Sequence, residues 1–335
     1  MKRRLLVVGG NVVLGLWVLF VLGAPASPSW AAAARTKIIV VVPHRILFTV
    51  ALPVYVAQEK GFYKENNIDI DAVFTRGGGE NVQAVVSGDA QIGLGTGTLA
   101  VISAFVKKAP IKIAAAEITG MDAFWYVQSN TSIRRMEDLA GKKVAYSRPG
   151  ASSHMAVLAI ADQIKAKGLK PAEPVSLGGI PEVYTAVRTG QADAGWSVAP
   201  FQLDLVDKGE LRVVIKGEEI SAMREITPRV HFLNNAFAAK NPDAVRGFFR
   251  AQERALDYIF ENKADAAKIW IRRAEMKYPE AAVLKTWDYY SRAAMALKPI
   301  RGLQATIEDG IRNKFLAQPL TQAEINGLID LSFLP

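Results

Sequence analysis

One unit of helix, glycine and strand occurs twice in this chain, and the spacing of its copies constrains the fold more than any other feature. Glu80, Ala84, Val85, Gly88, Ala90 and Gly93 return as Glu182, Ala186, Val187, Gly190, Ala192 and Gly195, each at an offset of 102 residues. Ser87 is answered by Thr189, and Val86 by Arg188. In both copies a helical pattern stops at a glycine, the residue that enters the left-handed conformation of a helix stop most readily, and a short strand follows. An offset this long is not the period of a stacked repeat; it marks two related α/β lobes. Because such units are common in α/β chains, chance similarity is the alternative.

The rest of the chain agrees with that reading. Short β-rich runs alternate with helical patterns: a strand over 37–42, a helix near 52–59, a strand over 69–74, a helix near 81–87 and a strand over 90–95. This alternation predicts mostly parallel sheets with crossover helices. Without its first 34 residues the chain has about 300, which is long for one hydrophobic core.

Those first residues have their own grammar. Lys2, Arg3 and Arg4 precede an apolar run from Leu5 to Leu22, and Pro25, Pro28 and the alanines Ala31 to Ala34 follow. This is the pattern of a signal peptide over 1–34, cut near Ala34 with Ala32 and Ala34 at the small-residue positions. The alternative is an uncleaved anchor, since the run approaches a membrane-spanning length; Trp30 and the two prolines interrupt any helix before the folded part. No later apolar segment is long enough to span a membrane. The chain has no cysteine, which excludes disulfides, thiolate metal sites and a lipid-modified cysteine at the cut. The expected compartment is therefore the periplasm.

Removing residues 1–34 takes away three of the 41 basic residues and none of the 32 acidic ones, leaving 38 against 32, or +6. The basic residues are scattered among acids with no run of five, so the charge reads as an ordinary solvated surface and not as a nucleic-acid stripe. An anionic ligand fits this balance.

The run Ala51-Leu52-Pro53-Val54-Tyr55-Val56-Ala57-Gln58-Glu59-Lys60-Gly61-Phe62-Tyr63 resembles the first helix of NMT1/THI5-like solute-binding proteins of the nitrate/sulfonate/taurine type. So do Gly77-Gly78-Gly79-Glu80, the stretch Ser87 to Gly93, Asp138 to Ala145, and Ser147 to His154, all in register. The resemblance implies a two-lobe, type II periplasmic binding fold, each lobe a mostly parallel sheet flanked by helices. It also implies a small-molecule ligand in the cleft and the membrane permease of an ABC transporter as partner, with the binding protein itself a monomer. On this chain lobe one would be 35–125 with 228–335, and lobe two 126–227. Phe124 to Gln128 and Val230 to Asn234 would be the crossings, short enough to act as a hinge. The C-terminal helices, patterned by Val245, Phe248, Phe249, Gln252, Leu256 and Ile259, would pack on lobe one. Trp270, Trp287, Tyr289 and Tyr290 read as core.

Ligands of open α/β sheets lie beyond the carboxyl ends of the strands, which selects four loops. The first carries His44, Arg45 and Phe48, the second Gly78 within its glycine triplet, and the third Thr96 and Thr98. In the fourth, Ser147, Arg148, Ser152 and Ser153 surround a helix start, where free amides, hydroxyls and a guanidinium make an anion site; plain capping by Ser152 is the competing account. Trp196 follows the repeated Gly195 and offers an indole to stack on an organic ligand body, with core burial as its alternative. The arginines and hydroxyls point to an anion, Phe48 and Trp196 to an organic body, and together to a sulfonate or carboxylate.

Signs of catalysis are few. His44, His154 and His231 have no sequence-close partner of metal-ligand type, and no nucleophile elbow or phosphate loop is present. No cofactor or metal is expected, and the chain reads as a non-enzyme. A branch of the same fold that makes the thiamin pyrimidine carries a cysteine-rich iron motif, from which this cysteine-free chain departs. Two further readings stay open: a ligand-sensing partner of a membrane receptor, and a small-molecule enzyme.

Overall fold

Strand β1 (Thr36–Val42) is a run of β-branched residues whose last three positions are buried, as expected of a central parallel strand covered on both faces. The computed structural model describes Gly9 and residues 34–335, so the expected leader and its cleavage point lie outside the described residues but for Gly9 and Ala34. Beside β1 lies β2 (Ile68–Phe74), where buried Ile68 and Ile70 alternate with exposed Asp69 and Asp71; an edge strand tolerates that pattern. The remaining strands of the first sheet are β3 (Ile92–Gly97), β4 (Ile111–Ile118) and, much later in the chain, a strand over Arg229–Asn234.

The second half supplies β5 (Phe124–Gln128), β6 (Lys143–Tyr146), β7 (Glu173–Ser176), β8 (Gly195–Ser197) and β9 (Leu211–Lys216), which makes the strand over Arg229–Asn234 β10. The first sheet has the order β2-β1-β3-β10-β4, with β10 antiparallel to both neighbours. Strands β8-β5-β9 form a second sheet and β6-β7 pair alongside it. A parallel bridge between Val144 and Ala194, with Ala145 N–H bonding Ala194 O at 2.8 Å, joins these pieces into the order β7-β6-β8-β5-β9. The two sheets therefore share one plan, each with a single antiparallel strand in the fourth place.

That plan explains the duplicated glycines. Gly93 faces Phe232 of β10, and a Cβ on Gly93 would come within 2.2 Å of the Phe232 ring. Gly195 faces Tyr126 of β5, and a Cβ there would meet the Tyr126 ring at 2.8 Å. In each half the glycine makes room for an aromatic ring carried by the inserted strand. Gly88 and Gly190 have φ of 89° and 75°, the left-handed stops expected of them.

The crossings differ from expectation. β5 pairs with β9 over its whole length and with β8 over Phe124 to Tyr126, and β10 lies inside the first sheet. Both are sheet strands because their apolar residues are buried there, so the chain passes between the sheets at 119–123 and again at 217–228. Helix Pro242–Glu261 buries Val245, Phe248, Phe249, Gln252, Leu256 and Ile259 and packs against helix Ala51–Glu59. Trp270, Trp287 and Tyr290 are buried, whereas Tyr289 is 37% exposed. No helix among the described residues is long and apolar enough to cross a membrane.

Candidate functional site

The carboxyl ends of the two sheets meet. Gly97, at the end of β3, lies so close to the start of helix Ser152–Ala166 that a Cβ on it would sit 3.1 Å from Gly150 O and 3.3 Å from Ser152 N. Beside this contact Arg148 reaches back to Glu80 at 3.9 Å, and Phe315 packs edge-on to His154 with ring centroids 5.5 Å apart. On the other flank His44 meets Phe201 edge-on at 5.3 Å. The loops after β1, β3, β6 and β8 thus line one seam.

Within it the fourth loop is the richest in donors. Ser147 and Ser153 hydroxyls lie 2.8 Å apart, and Ser147 N–H donates to Ser153 Oγ at 3.1 Å. Ser153 is buried and Arg148 half-exposed. Helix Ser152–Ala166 begins without a side-chain cap, so Ser152 is not a capping residue and the start of the helix keeps its backbone polarity for the seam. Gly150 N–H donates to His154 Nδ1 at 3.3 Å, and burial lowers the His154 pKa. Glu80 is held below the usual carboxylate range, chiefly by the Arg76 backbone N–H it accepts and by the Arg76 side chain.

The other expected residues divide. His44 is half-buried at the seam, its pKa lowered by burial and by Arg45 and partly restored by Glu182. Thr96 is fully buried against Asn81, and Gly78 is glycine because a Cβ would press Thr96 Cγ2 at 3.2 Å. Trp196 is half-buried, and its indole nitrogen is buried without a hydrogen-bond partner.

Three assignments are corrected. Phe48 is 1% exposed, stacked on Tyr290 and ringed by Phe260, Trp270 and Trp287, because a loop threaded beneath the C-terminal helices has no open face. Arg45 is engaged by Glu275 at 3.0 Å and by the Phe74 ring, both in the first half. Thr98 donates to Thr227 O at 2.6 Å, which anchors the second passage between the sheets.

Sequence reasoning missed the most heavily charged part of the interior. Arg229 donates to Glu117 at 2.9 and 3.0 Å and to Asp122 at 2.7 and 2.8 Å. Tyr290 hydroxyl donates to Asp122 at 3.2 Å, and Thr49 hydroxyl to Glu117. Burial raises the Glu117 pKa despite Arg229; burial also opposes the charge of Arg229, but Asp122 and Glu117 outweigh it and hold its pKa above normal. His231, under the same roof, accepts from Gly95 N–H at 3.2 Å and is pushed down to about 3 by burial and by Arg229. Glu117 and Arg229 sit on apolar strands of the first sheet and Asp122 on the first passage, so the cluster ties that sheet to the first passage. The available signal was charge inside runs such as Ile111–Ile118. Beside the passages lies a cavity of about 370 Å³ whose walls include Asp122, Phe124, Asp207, Glu218, Lys285 and Tyr289. No cluster able to hold a metal ion occurs among the described residues.

Comparison with known proteins places this geometry. The "NMT1/THI5 like" family matches residues 49–266. A 4-amino-5-hydroxymethyl-2-methylpyrimidine phosphate synthase of Saccharomyces cerevisiae is 24% identical over 250 residues, covering 68% of this chain and 67% of its own. The taurine-binding periplasmic protein of Escherichia coli is 28% identical over 231 residues, covering 68% of each. Among solved structures, the periplasmic aliphatic sulphonate binding protein SsuA of Escherichia coli superposes with a TM-score of 0.70 at 18% identity, over 89% of this chain and 92% of that one, which shows a shared fold. With two sheets of one plan meeting at a loop-lined seam, and with the family match spanning most of the folded chain, this protein belongs to the NMT1/THI5-like family.

Proposed function

We propose that this chain is an exported, periplasmic solute-binding protein that closes two lobes on a small organic anion and hands it unchanged to the permease of an ABC importer. One lobe carries the first sheet and the C-terminal helices, the other the second sheet, and the passages at 119–123 and 217–228 are the hinge. The observation that carries the reading is the meeting of Gly97 with the uncapped start of helix Ser152–Ala166, where Ser147, Ser153 and Arg148 converge. A helix start, hydroxyls and a guanidinium together favour an oxyanion.

Relatives named for taurine and aliphatic sulphonate binding support a sulfonate; a carboxylate meets the same donors. The synthase relatives favour a second reading, an enzyme of the same fold. Calorimetric titration of the purified protein with taurine, an alkanesulfonate, an aromatic carboxylate, nitrate and bicarbonate tests the first. The expected result is one ligand per monomer from the sulfonate or carboxylate set, recovered chemically intact. Turnover of the bound compound supports the second reading instead.

A further inference from the structure

Three ion pairs cross the seam at separate places. Glu80 of the first half faces Arg148 of the second at 3.9 Å. Arg312, at the end of helix Leu303–Arg312, faces Asp162 in helix Ser152–Ala166 at 3.7 Å. Lys285, in the segment after helix Glu280–Leu284, meets Asp207 at the end of helix Leu203–Asp207 at 2.6 Å. The last pair stands at the rim of the cavity beside the passages, of which both residues form part of the wall. Each of the three joins the first half to the second.

Their polarity alternates. Lys285 and Arg312 place cations on the first half against Asp207 and Asp162, whereas Glu80 places an anion there against Arg148. A general attraction between a positive and a negative half would give one polarity throughout; mixed polarity instead rewards one closed register, since a slide or rotation unpairs the contacts together. All six side chains are partly exposed, from 27% to 64%, so the attraction is weak per pair and open to screening by salt.

We propose that these pairs form a salt-sensitive latch that holds the two halves closed before any ligand arrives. The latch rests on the two-lobe reading but not on the identity, or even the existence, of a ligand. Opening equilibria of binding proteins are separated by small free energies, and an exposed pair shifts such an equilibrium by a factor of roughly 1.5 to 5. Two or three pairs acting together therefore suffice to make the closed form dominant at low ionic strength, with opening favoured as salt rises.

The chain has no cysteine, so two introduced thiols label it uniquely. Val73→Cys and Leu169→Cys use exposed positions on opposite halves, 44% and 40% accessible, and pulsed electron-spin distance measurement between nitroxides there reads the opening without ligand. The expected result is a narrow, short distance at low salt that gives way to a longer one at high salt. Lys285→Glu with Arg312→Glu raises the open-to-closed ratio on the order of tenfold at low salt, and adding Asp207→Lys and Asp162→Lys to that variant restores the short distance. A distance unmoved by either salt or the charge reversals, in variants whose melting temperature matches that of the parent, overturns the latch. So does a parent protein already open at low salt. Failure of the solute-binding reading shows separately, as absence of heat in the titrations, and leaves this result intact.

Discussion

Gly97 and Ser152 touch across the seam: no atom larger than hydrogen fits on the Gly97 α-carbon without pressing the first turn of the helix that Ser152 opens. Gly97 → Val should therefore prop the halves apart. If the closed form falls to about a tenth of its share, apparent ligand affinity weakens about tenfold, with little change in thermal stability because parting the halves relieves the clash without repacking either core. Titration alongside thermal melting checks both parts; unchanged affinity would mean that closure does not bring these two loops together.

Arg229 neutralises two carboxylates that are almost wholly buried, with side-chain exposures of 1% for Glu117 and 3% for Asp122. Arg229→Met leaves them without a counter-charge and should cost about 3–5 kcal/mol in chemical denaturation. Combining it with Glu117→Gln and Asp122→Asn should recover part of that loss, because the penalty belongs to the stranded charges and not to the missing contacts.

The sheets, their strands and the paired glycines were legible in the sequence because burial writes itself as pattern: β-branched runs for β1, glycine at a fixed offset where Phe232 and Tyr126 need space. The passages were misplaced because strands β5 and β10 are as apolar as any hinge strand, and only pairing tells which sheet receives them. Phe48 and Arg45 were assigned to the site from their loop alone; the side chains of a loop point either way, and the C-terminal helices that bury Phe48 come more than 200 residues later. Ser147, Arg148 and Ser153 could be grouped from the sequence because a strand, a tight turn and a helix start follow one another locally, and the structure does bring the Ser147 and Ser153 hydroxyls within 2.8 Å. The Glu117–Arg229 contact joins residues 112 apart, which no local pattern records.

His231 is buried and neutral, with its folded pKa lowered to about 3 against an ordinary value of 6.5. Between those values the unfolded chain binds the proton and the folded chain does not, so this residue's contribution is fully present above pH 6.5 and is lost as the pH falls toward 3. His231→Gln keeps an acceptor for Gly95 N–H and removes the titration. The melting temperature of the variant should fall less than that of the parent between pH 6.5 and 4; parallel curves would show that His231 is not the buried neutral base described.

Phe48 offers a test of core against cleft. Phe48→Ala should cost about 3–5 kcal/mol of stability while the ligand affinity of the folded fraction stays within about twofold of the parent, since the packing loss falls on the folded state as a whole. A large affinity loss with stability intact would return Phe48 to the site.

Arg148→Ala removes the guanidinium that Glu80 now shares and should weaken binding of an anion by more than about 1 kcal/mol, the worth of a charge-assisted hydrogen bond, beyond the roughly 1.5- to 5-fold loss that an uncharged analogue suffers from the missing Glu80 pair. Paired titrations of the two ligands decide it.

Native mass spectrometry of the purified protein with taurine, an alkanesulfonate and an aromatic carboxylate addresses the central claim most directly. The account predicts a one-to-one complex with at least one of these anions, which releases a compound of unchanged mass. No complex with any of them, or a released compound of altered mass, would contradict it.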